Sequence, residues 1–344
     1  MERVKLVSLI PPETYSQVMN EEAEALVREF ADFERTDKER LPQEEIGALL
    51  ADADACLTSW GVPGFAPETI EALPRLKIIG HAAGSVKKLV PLNAYERGIV
   101  VVNAAPVIAK SVGEMALGMA IAARRHFVRH HNAFALEGTR GDVALRPPGD
   151  LSMNFGLHHT RVGIIAASST GRAFIRHLKA YGDEIEILVY DPFLTGEQAD
   201  ALGVRRCGLD ELLRTCDVVS LHAPSNEATR GMIGRREVSL LKDGALLINT
   251  ARGPLIDYDA LYDELKTGRI YAALDVYLET LTGDQVSASP FRSLPNGLIT
   301  PGIAGPSAEV MRTLGVHVVR DIHAYLTGGT PKYRVTKEML SQIA

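Results

Sequence analysis

The feature that most restricts the fold of this chain is the recurrence of short, unbroken apolar runs separated by amphipathic stretches. A first series holds VKLVSLI (Val4 to Ile10), ACLTSW (Ala55 to Trp60), LKIIGHA (Leu76 to Ala82) and GIVVVNA (Gly98 to Ala104). A second holds RVGIIA (Arg161 to Ala166), EILVYD (Glu186 to Asp191), VVSLHAP (Val218 to Pro224), GALLINT (Gly244 to Thr250) and YAALDVY (Tyr271 to Tyr277), and closes with GLITPGIAG. Apolar runs without polar alternation predict strands covered on both faces, and helical patterns such as EEAEALVREF and APETIEAL between them predict crossovers joining parallel neighbours. The expected class is α/β, with two doubly wound parallel sheets.

Between the two series, Ser111 to Phe134 is small and apolar, lacks proline and is too long for a strand. It reads as one long helix, with Ser111 as a candidate N-cap. The tail SAEVMRTLGVHVVRDIHAYLTGG also reads as helix, ending at Gly328 and Gly329. No internal repeat is found.

At 344 residues, with 46% hydrophobic and 23% charged, the chain can bury a sizeable core in about two domains. A net charge of -6 leaves no basic excess for phosphate backbones, so nucleic acid is not an expected partner. Cys56, Cys207 and Cys216 form neither an even disulfide framework nor a C-x-x-C metal pair, which fits reduced thiols in a cytosolic protein. The opening MERVKLVSLIPPETY has too short an apolar run for a signal sequence, and no run approaches the ~18 apolar residues of a membrane span. A cytoplasmic location with no membrane partner is expected.

The run VGIIAASSTGRAF combines a strand, a turn and a helix start, the setting of a dinucleotide-binding loop. A G-x-G-x-x-G loop would place glycines where this chain has Ala166, Ser168 and Gly171. The first glycine makes the tight turn, the second admits the pyrophosphate, and the third lets helix and strand pack closely. Only Gly171 remains, with Ser168, Ser169 and Thr170 offering hydroxyls and backbone N–H groups at a helix N-terminus that favours an anion. An ordinary strand-turn-helix with a serine cap would look the same. Asp191, ending the next strand, stands where an acidic residue takes the ribose hydroxyls and favours NAD over NADP. An Asp-Pro turn is the other account of it.

Taken with DELLRTCDVVSLHAPSNEATRGMIGRREVSLLKDGALLINTARGPLIDYDALYDELKTGRIYAALDVY (Asp210 to Tyr277), the chain resembles the D-isomer-specific 2-hydroxyacid dehydrogenases over nearly its whole length. The resemblance implies a flavodoxin-like substrate domain from residues 1–103 plus 305–344, and a Rossmann NAD-binding domain over 104–304. Cofactor and substrate would share the cleft between them. It also implies a dimerisation helix at 111–134 and hence a homodimer.

Chemistry of this class needs a cation for the carboxylate of a 2-oxo acid, a hydride donor and an acid for the developing alkoxide. Arg252, in TARG just past the GALLIN strand, matches the family arginine, and its fork suits a carboxylate. Asp275 in LDVY matches the residue that binds the nicotinamide amide. His222 and Ala223, with Pro224, match a loop bordering the nicotinamide, and Thr250 joins the candidate cofactor contacts. The family's T-P-H-I-A-G appears as TPGIAG (Thr300 to Gly305), so Gly302 stands in place of the catalytic histidine. The histidine's partner glutamate aligns with Thr280 once a one-residue deletion is allowed. Glu279, one position off, is the candidate retained acid.

Where the family often reads G-V-D-N, this chain reads SVKK (Ser85 to Lys88). Ser85, Val86 and Lys87 are candidate substrate contacts, and the lysines would favour an anion; two solvated loop lysines are the plain alternative. His81 could be a relocated acid or a structural histidine. His126 and His130 lack the glutamate and third ligand of a metal site, and His158–His159 reads as a solvated turn. No metal is assigned.

Two functions follow. One is an NAD-dependent oxidoreductase acting on a 2-hydroxy or 2-oxo acid, or a related small anion, with altered proton delivery, from water at Gly302 or from the substrate. Losing a general acid costs about 100- to 10,000-fold in rate, so slow turnover of ordinary 2-oxo acids is expected. The alternative is a non-catalytic NAD- or ligand-binding pseudo-dehydrogenase, or an enzyme repurposed to other chemistry at Arg252.

Overall fold

A computed structural model describes residues 3–139, 155–182, 184–341 and 343. The chain forms two compact units, Met1–Ala109 with Pro306–Ala344, and Lys110–Gly305. The first division falls inside a helix, a few residues past the Ala104 boundary read from the sequence. The physical reason is packing: Val107 and Ile108, in that helix's first turn, join the core of the first unit.

In the first unit the strands are β1 (Val4–Ser8), β2 (Ala31–Arg35), β3 (Ala55–Thr58), β4 (Ile78–His81) and β5 (Val100–Asn103). They are parallel in the order 2-1-3-4-5, the flavodoxin-like winding. In the second unit they are β6 (Arg161–Ile165), β7 (Glu186–Tyr190), β8 (Arg205–Arg206), β9 (Val218–Leu221), β10 (Leu246–Asn249), β11 (Tyr271–Leu274) and β12 (Gly297–Ile299). A last short strand, β13 (Arg334–Val335), pairs antiparallel with β5 at the edge of the first sheet. The second sheet runs β12-β11-β10-β9-β6-β7-β8, all parallel, which is Rossmann order extended by one strand.

The unbroken apolar runs become strands because both faces of each sheet are covered. In β3 and β4, Leu57 and Ile78 enter one core of the first unit while Cys56 and Ile79 enter the other. In β9 and β10, Val219 and Leu247 face one core of the second unit while Val218 and Ile248 face the other. Each such side chain contributes about 1.5–3 kcal/mol of burial, so the pattern holds register as well as fold class. Edge strands β2, β8 and β13 carry polar sequences and have no counterpart in the apolar-run reading.

The expected single helix over Ser111 to Phe134 needs correction. Helix Ala105–Arg124 starts earlier, where Asn103 Oδ1 accepts the Ala105 N–H, so Ser111 lies buried inside the helix rather than capping it. It stops where His126 turns left-handed at φ 52, and Phe127–Ala135 forms a separate helix. A backbone in that region cannot continue a right-handed helix. Ala105–Arg124 is also long and apolar enough, by length and composition, to cross a membrane. Its Ala116, Met119 and Ala120 are buried in a core of the second unit, and Gly113 lies against the backbone of Ala173, the packing of an internal helix. The tail helix is likewise interrupted, into Ala308–Met311 and Leu314–Leu326.

Because the second sheet is parallel, the carboxyl ends of its strands share one edge. One register row runs Tyr190, Ile165, Leu221, Asn249, Leu274 and Ile299. The residues following that row are Asp191, Ala166, His222, Thr250, Asp275 and Thr300. Sheet topology alone thus brings six separate candidate segments to one edge.

Candidate active site

The loop after β6 keeps the shape of a glycine turn without the glycine. Ala166 stands at φ 76, a left-handed conformation that costs an L-residue roughly 1–2 kcal/mol. Its N–H donates to Tyr190 O at 2.8 Å, tying the turn to the neighbouring strand. Asp191 holds the next residue, with Oδ2 accepting the Ala167 N–H at 2.8 Å and Oδ1 accepting that of Phe193 at 2.8 Å. A carboxylate has about four acceptor sites, so ribose hydroxyls remain within its capacity.

Ser168 caps helix Ser169–Tyr181. Its hydroxyl accepts the Gly171 N–H at 3.4 Å, donates to His222 O at 2.8 Å and lies 3.1 Å from Thr170 Oγ1. Thr170 Oγ1 in turn meets His222 Nδ1 at 3.2 Å, and His222 Nε2 meets Ser220 Oγ at 2.9 Å. The hydroxyls of Ser168 and Thr170 are therefore spent within the loop. Of the helix's first N–H groups, Ser168 serves those of Gly171 and Arg172, leaving those of Ser169 and Thr170 for an anion. Burial pushes the His222 imidazole down to about 3, so it stays neutral at physiological pH.

Two features test whether a dinucleotide suits these residues. A Cβ on Gly171 would meet Ala166 O at 2.2 Å, so the helix approaches the strand as closely as the third glycine of such a loop permits. At the other end, Thr250 Oγ1 is buried with no hydrogen-bond partner among the described residues, an orphan that a ligand hydroxyl would satisfy. The residues fit the group. Ala223, which follows His222, is buried as well.

The turn after β10 is built on Asn249, which the sequence reading passed over. Asn249 Oδ1 accepts the Ala251 N–H at 3.0 Å and its Nδ2 donates to Arg252 O at 2.9 Å, folding the Thr250–Arg252 turn around one buried amide. The available signal was a polar residue closing an apolar strand. Arg252 is exposed, with Nη1 donating to Ala251 O at 2.6 Å. Gly253 follows because a Cβ there would meet Thr280 Cγ2 at 2.3 Å.

Asp275 is buried and holds the TPGIAG loop. Its Oδ1 accepts from Thr300 Oγ1 at 2.5 Å and Ile303 N at 2.9 Å, and its Oδ2 accepts from Ala304 N at 2.8 Å. Gly302 within that loop lies at φ +80, and a Cβ built on it would sit 2.9 Å from Glu279 Oε1. Glu279 is therefore the acidic side chain facing position 302, while the Thr280 hydroxyl donates to Tyr277 O at 2.7 Å. Partial burial raises the Glu279 pKa; the Arg252 charge opposes the shift and that of Asp275 adds to it.

The remaining candidates belong to other segments of the chain. In the first unit, His81 ends β4 buried, with Nδ1 3.0 Å from Thr58 Oγ1, and burial lowers its pKa to about 4, so it is neutral and structural. In the loop after it, Ser85 is exposed, Val86 is fully buried and Lys87 is half-buried, its N–H donating to Ser85 Oγ at 3.4 Å. His126 packs 5.0 Å from Tyr271, and the His158 ring pairs with Glu184. No group of three or more His, Cys, Asp or Glu that could hold a metal occurs among the described residues.

A family model described as D-isomer specific 2-hydroxyacid dehydrogenase, NAD binding domain, matches residues 117–304. The chain is similar to a hydroxypyruvate reductase of Thermotoga maritima, 32% identical over 305 residues covering 88% of this chain and 94% of that protein. It is similar to a D-3-phosphoglycerate dehydrogenase of Methanocaldococcus jannaschii, 32% identical over 290 residues covering 84% of this chain. The chain spans about half the length of that relative, 52%. Its structure is similar to that of a phosphoglycerate oxidoreductase from Rhizobium etli, with a TM-score of 0.80, 25% identity, and coverage of 97% of this chain and 99% of the other.

Proposed function

The chain belongs to the D-isomer-specific 2-hydroxyacid dehydrogenase family, and from that premise we propose that it interconverts a small 2-oxo acid and its 2-hydroxy acid with a nicotinamide cofactor. The observation that carries the reading is the Asn249 clasp, which presents Arg252 on the strand edge that also bears the dinucleotide loop and Thr250. The backbone N–H groups of Ser169 and Thr170 would hold the pyrophosphate, Asp191 the ribose, and Thr250, Ala223 and Asp275 the nicotinamide end. Bound there, the reduced nicotinamide supplies the hydride.

Arg252 takes the substrate carboxylate in its planar fork and draws charge toward the carbonyl oxygen. Proton delivery differs from the family pattern, because residue 302 is glycine. Asp191 supports NAD over NADP as cofactor, since a carboxylate there repels a 2′-phosphate. The loop Ser85, Val86 and Lys87 suits a small anionic substrate. A cytoplasmic homodimer is the form expected of such an enzyme.

The test is titration with NADH and NADPH, followed by fluorescence, then reduction of glyoxylate, hydroxypyruvate and larger 2-oxo acids. NADH binding tighter than NADPH, with turnover that Arg252→Ala abolishes, is the expected result. Binding without turnover would assign the chain to the non-catalytic reading, and no binding of either nucleotide would overturn both.

A further inference from the structure

We propose that Glu279 itself is the proton donor of this enzyme, its carboxyl using the space that Gly302 leaves open. The inference rests on the reading of the chain as a 2-oxo acid reductase, and adds the group that completes the reaction. A side chain at 302 and the Glu279 carboxyl compete for one volume: a Cβ at 302 would be 2.9 Å from Oε1 and 3.8 Å from Cγ and Cδ. The Glu279 carboxyl thus occupies the volume in which a side chain at 302 would begin. Without a side chain at 302, the acid that would otherwise stand behind a histidine meets the substrate directly.

The surroundings suit this role. Glu279 follows β11 in the short helical turn Leu278–Thr280, and Thr280 is wedged against Gly253, which holds that turn beside the Arg252 turn. The charged and titratable groups acting on Glu279 are Arg252 after β10, Asp275 after β11 and, from the helix Tyr258–Lys266, Tyr258. Among the described ion pairs none joins Glu279 to Arg252, so both stay available to one substrate. Asp275 is committed to the Thr300–Ala304 loop and Tyr258 is a buried phenol, leaving Glu279 as the group whose proton can move. Desolvation on its protein-facing side favours its protonated form, and its exposure to solvent lets water restore the proton after each turnover.

In the reduction, the carbonyl carbon accepts the hydride from the reduced nicotinamide as the C=O π pair moves to oxygen. That oxygen takes the proton from the Glu279 carboxyl. A C–H and an O–H bond form, the 2-oxo acid becomes the 2-hydroxy acid, the nicotinamide is oxidised, and Glu279 is left as carboxylate. Oxidation runs the same steps backward, with the Glu279 carboxylate as base.

The test compares wild type, Glu279→Gln and Glu279→Asp in two measurements. The first is the affinity of oxamate, a 2-oxo acid isostere, for the protein with NADH bound, across pH. Wild-type affinity should fall as pH rises through the Glu279 titration, while Glu279→Gln should show no such limb and bind NADH unchanged. The second is kcat for glyoxylate or hydroxypyruvate, which should drop about 100- to 10,000-fold in Glu279→Gln with KM little altered, and partly recover in Glu279→Asp. An oxamate profile identical in wild type and Glu279→Gln, or a Glu279→Gln enzyme with wild-type kcat and pH profile, would overturn the proposal. Wild type that turns over no 2-oxo acid would defeat the functional reading alone, because the oxamate profile still decides the place of Glu279.

Discussion

Gly302 and Glu279 are reciprocal: the absent Cβ of one would stand 2.9 Å from the carboxyl oxygen of the other. Placing the family's histidine there, as Gly302→His, meets two penalties. The backbone at φ +80 costs a non-glycine residue about 1–3 kcal/mol, and the new side chain must push Glu279 aside. The variant is expected to unfold at lower denaturant concentration and to reduce 2-oxo acids more slowly than wild type. Faster turnover would show that the site still wants a histidine.

Ala166 carries strain that glycine would not. Ala166→Gly removes the left-handed penalty but loosens the unfolded chain, so a net gain of about 0.5–1 kcal/mol is expected. Denaturant unfolding measures it. NADH affinity should stay equal or improve, since the loop hydrogen bonds from Ala166 and Ala167 involve only backbone donors.

Asn249 is expected to act on catalysis through Arg252. In Asn249→Asp the side chain still accepts the Ala251 N–H but no longer donates to Arg252 O. Losing that hydrogen bond and setting a buried carboxylate against a carbonyl oxygen is expected to lower kcat/KM by about tenfold or more. NADH affinity should fall less, since Thr250 in the same turn is one of several proposed cofactor contacts. Steady-state kinetics beside fluorescence titration separates the two.

Buried neutral histidines make the fold acid-sensitive. Burial lowers His81 to about 4 and His222 to about 3, against about 6.5 in an unfolded chain. Below about pH 6.5 the unfolded chain binds protons that the folded one refuses, so stability is full above that pH and falls with acid, by up to about 1.4 kcal/mol per pH unit per histidine. Unfolding curves between neutral and mildly acidic pH should show the slope. His81→Asn, which cannot charge, should lower stability at neutral pH yet flatten the slope.

Two glycines of one helix should respond oppositely to alanine. A Cβ at Gly113 would lie 2.8 Å from the Ala173 and Phe174 backbone, whereas nothing lies within 4 Å at Gly118. Gly113→Ala is expected to destabilise the second unit by about 1–3 kcal/mol through overpacking. Gly118→Ala should stabilise it by about 1 kcal/mol through helix propensity. Thermal unfolding of the pair checks the packing of helix Ala105–Arg124.

Much of this was legible in the chain itself. The apolar runs mark strands because two-sided burial tolerates no polar alternation, and Arg252 and Asp275 stand out because they close such runs. The break at His126 was not legible, since a left-handed residue other than glycine leaves no local signature. Edge strands such as β2 and β8 were missed because one exposed side removes the need for an apolar run. Asn249 was passed over because its task, holding two backbone groups of a turn, shows only once the turn is folded.

The sequence by itself determined the α/β class, the two series of parallel strands and the replacement of a histidine by Gly302, all of which depend on residue identity and burial pattern. Only the tertiary structure decided that Ala166 keeps the glycine turn, that the Ser168 and Thr170 hydroxyls are spent inside the loop, and that Glu279 rather than Thr280 faces Gly302. The reason is physical: a 3-10 turn of three residues separates neighbouring side chains by about 120° of rotation, so which of two adjacent residues meets a distant loop follows from packing against Gly253, not from position in the chain.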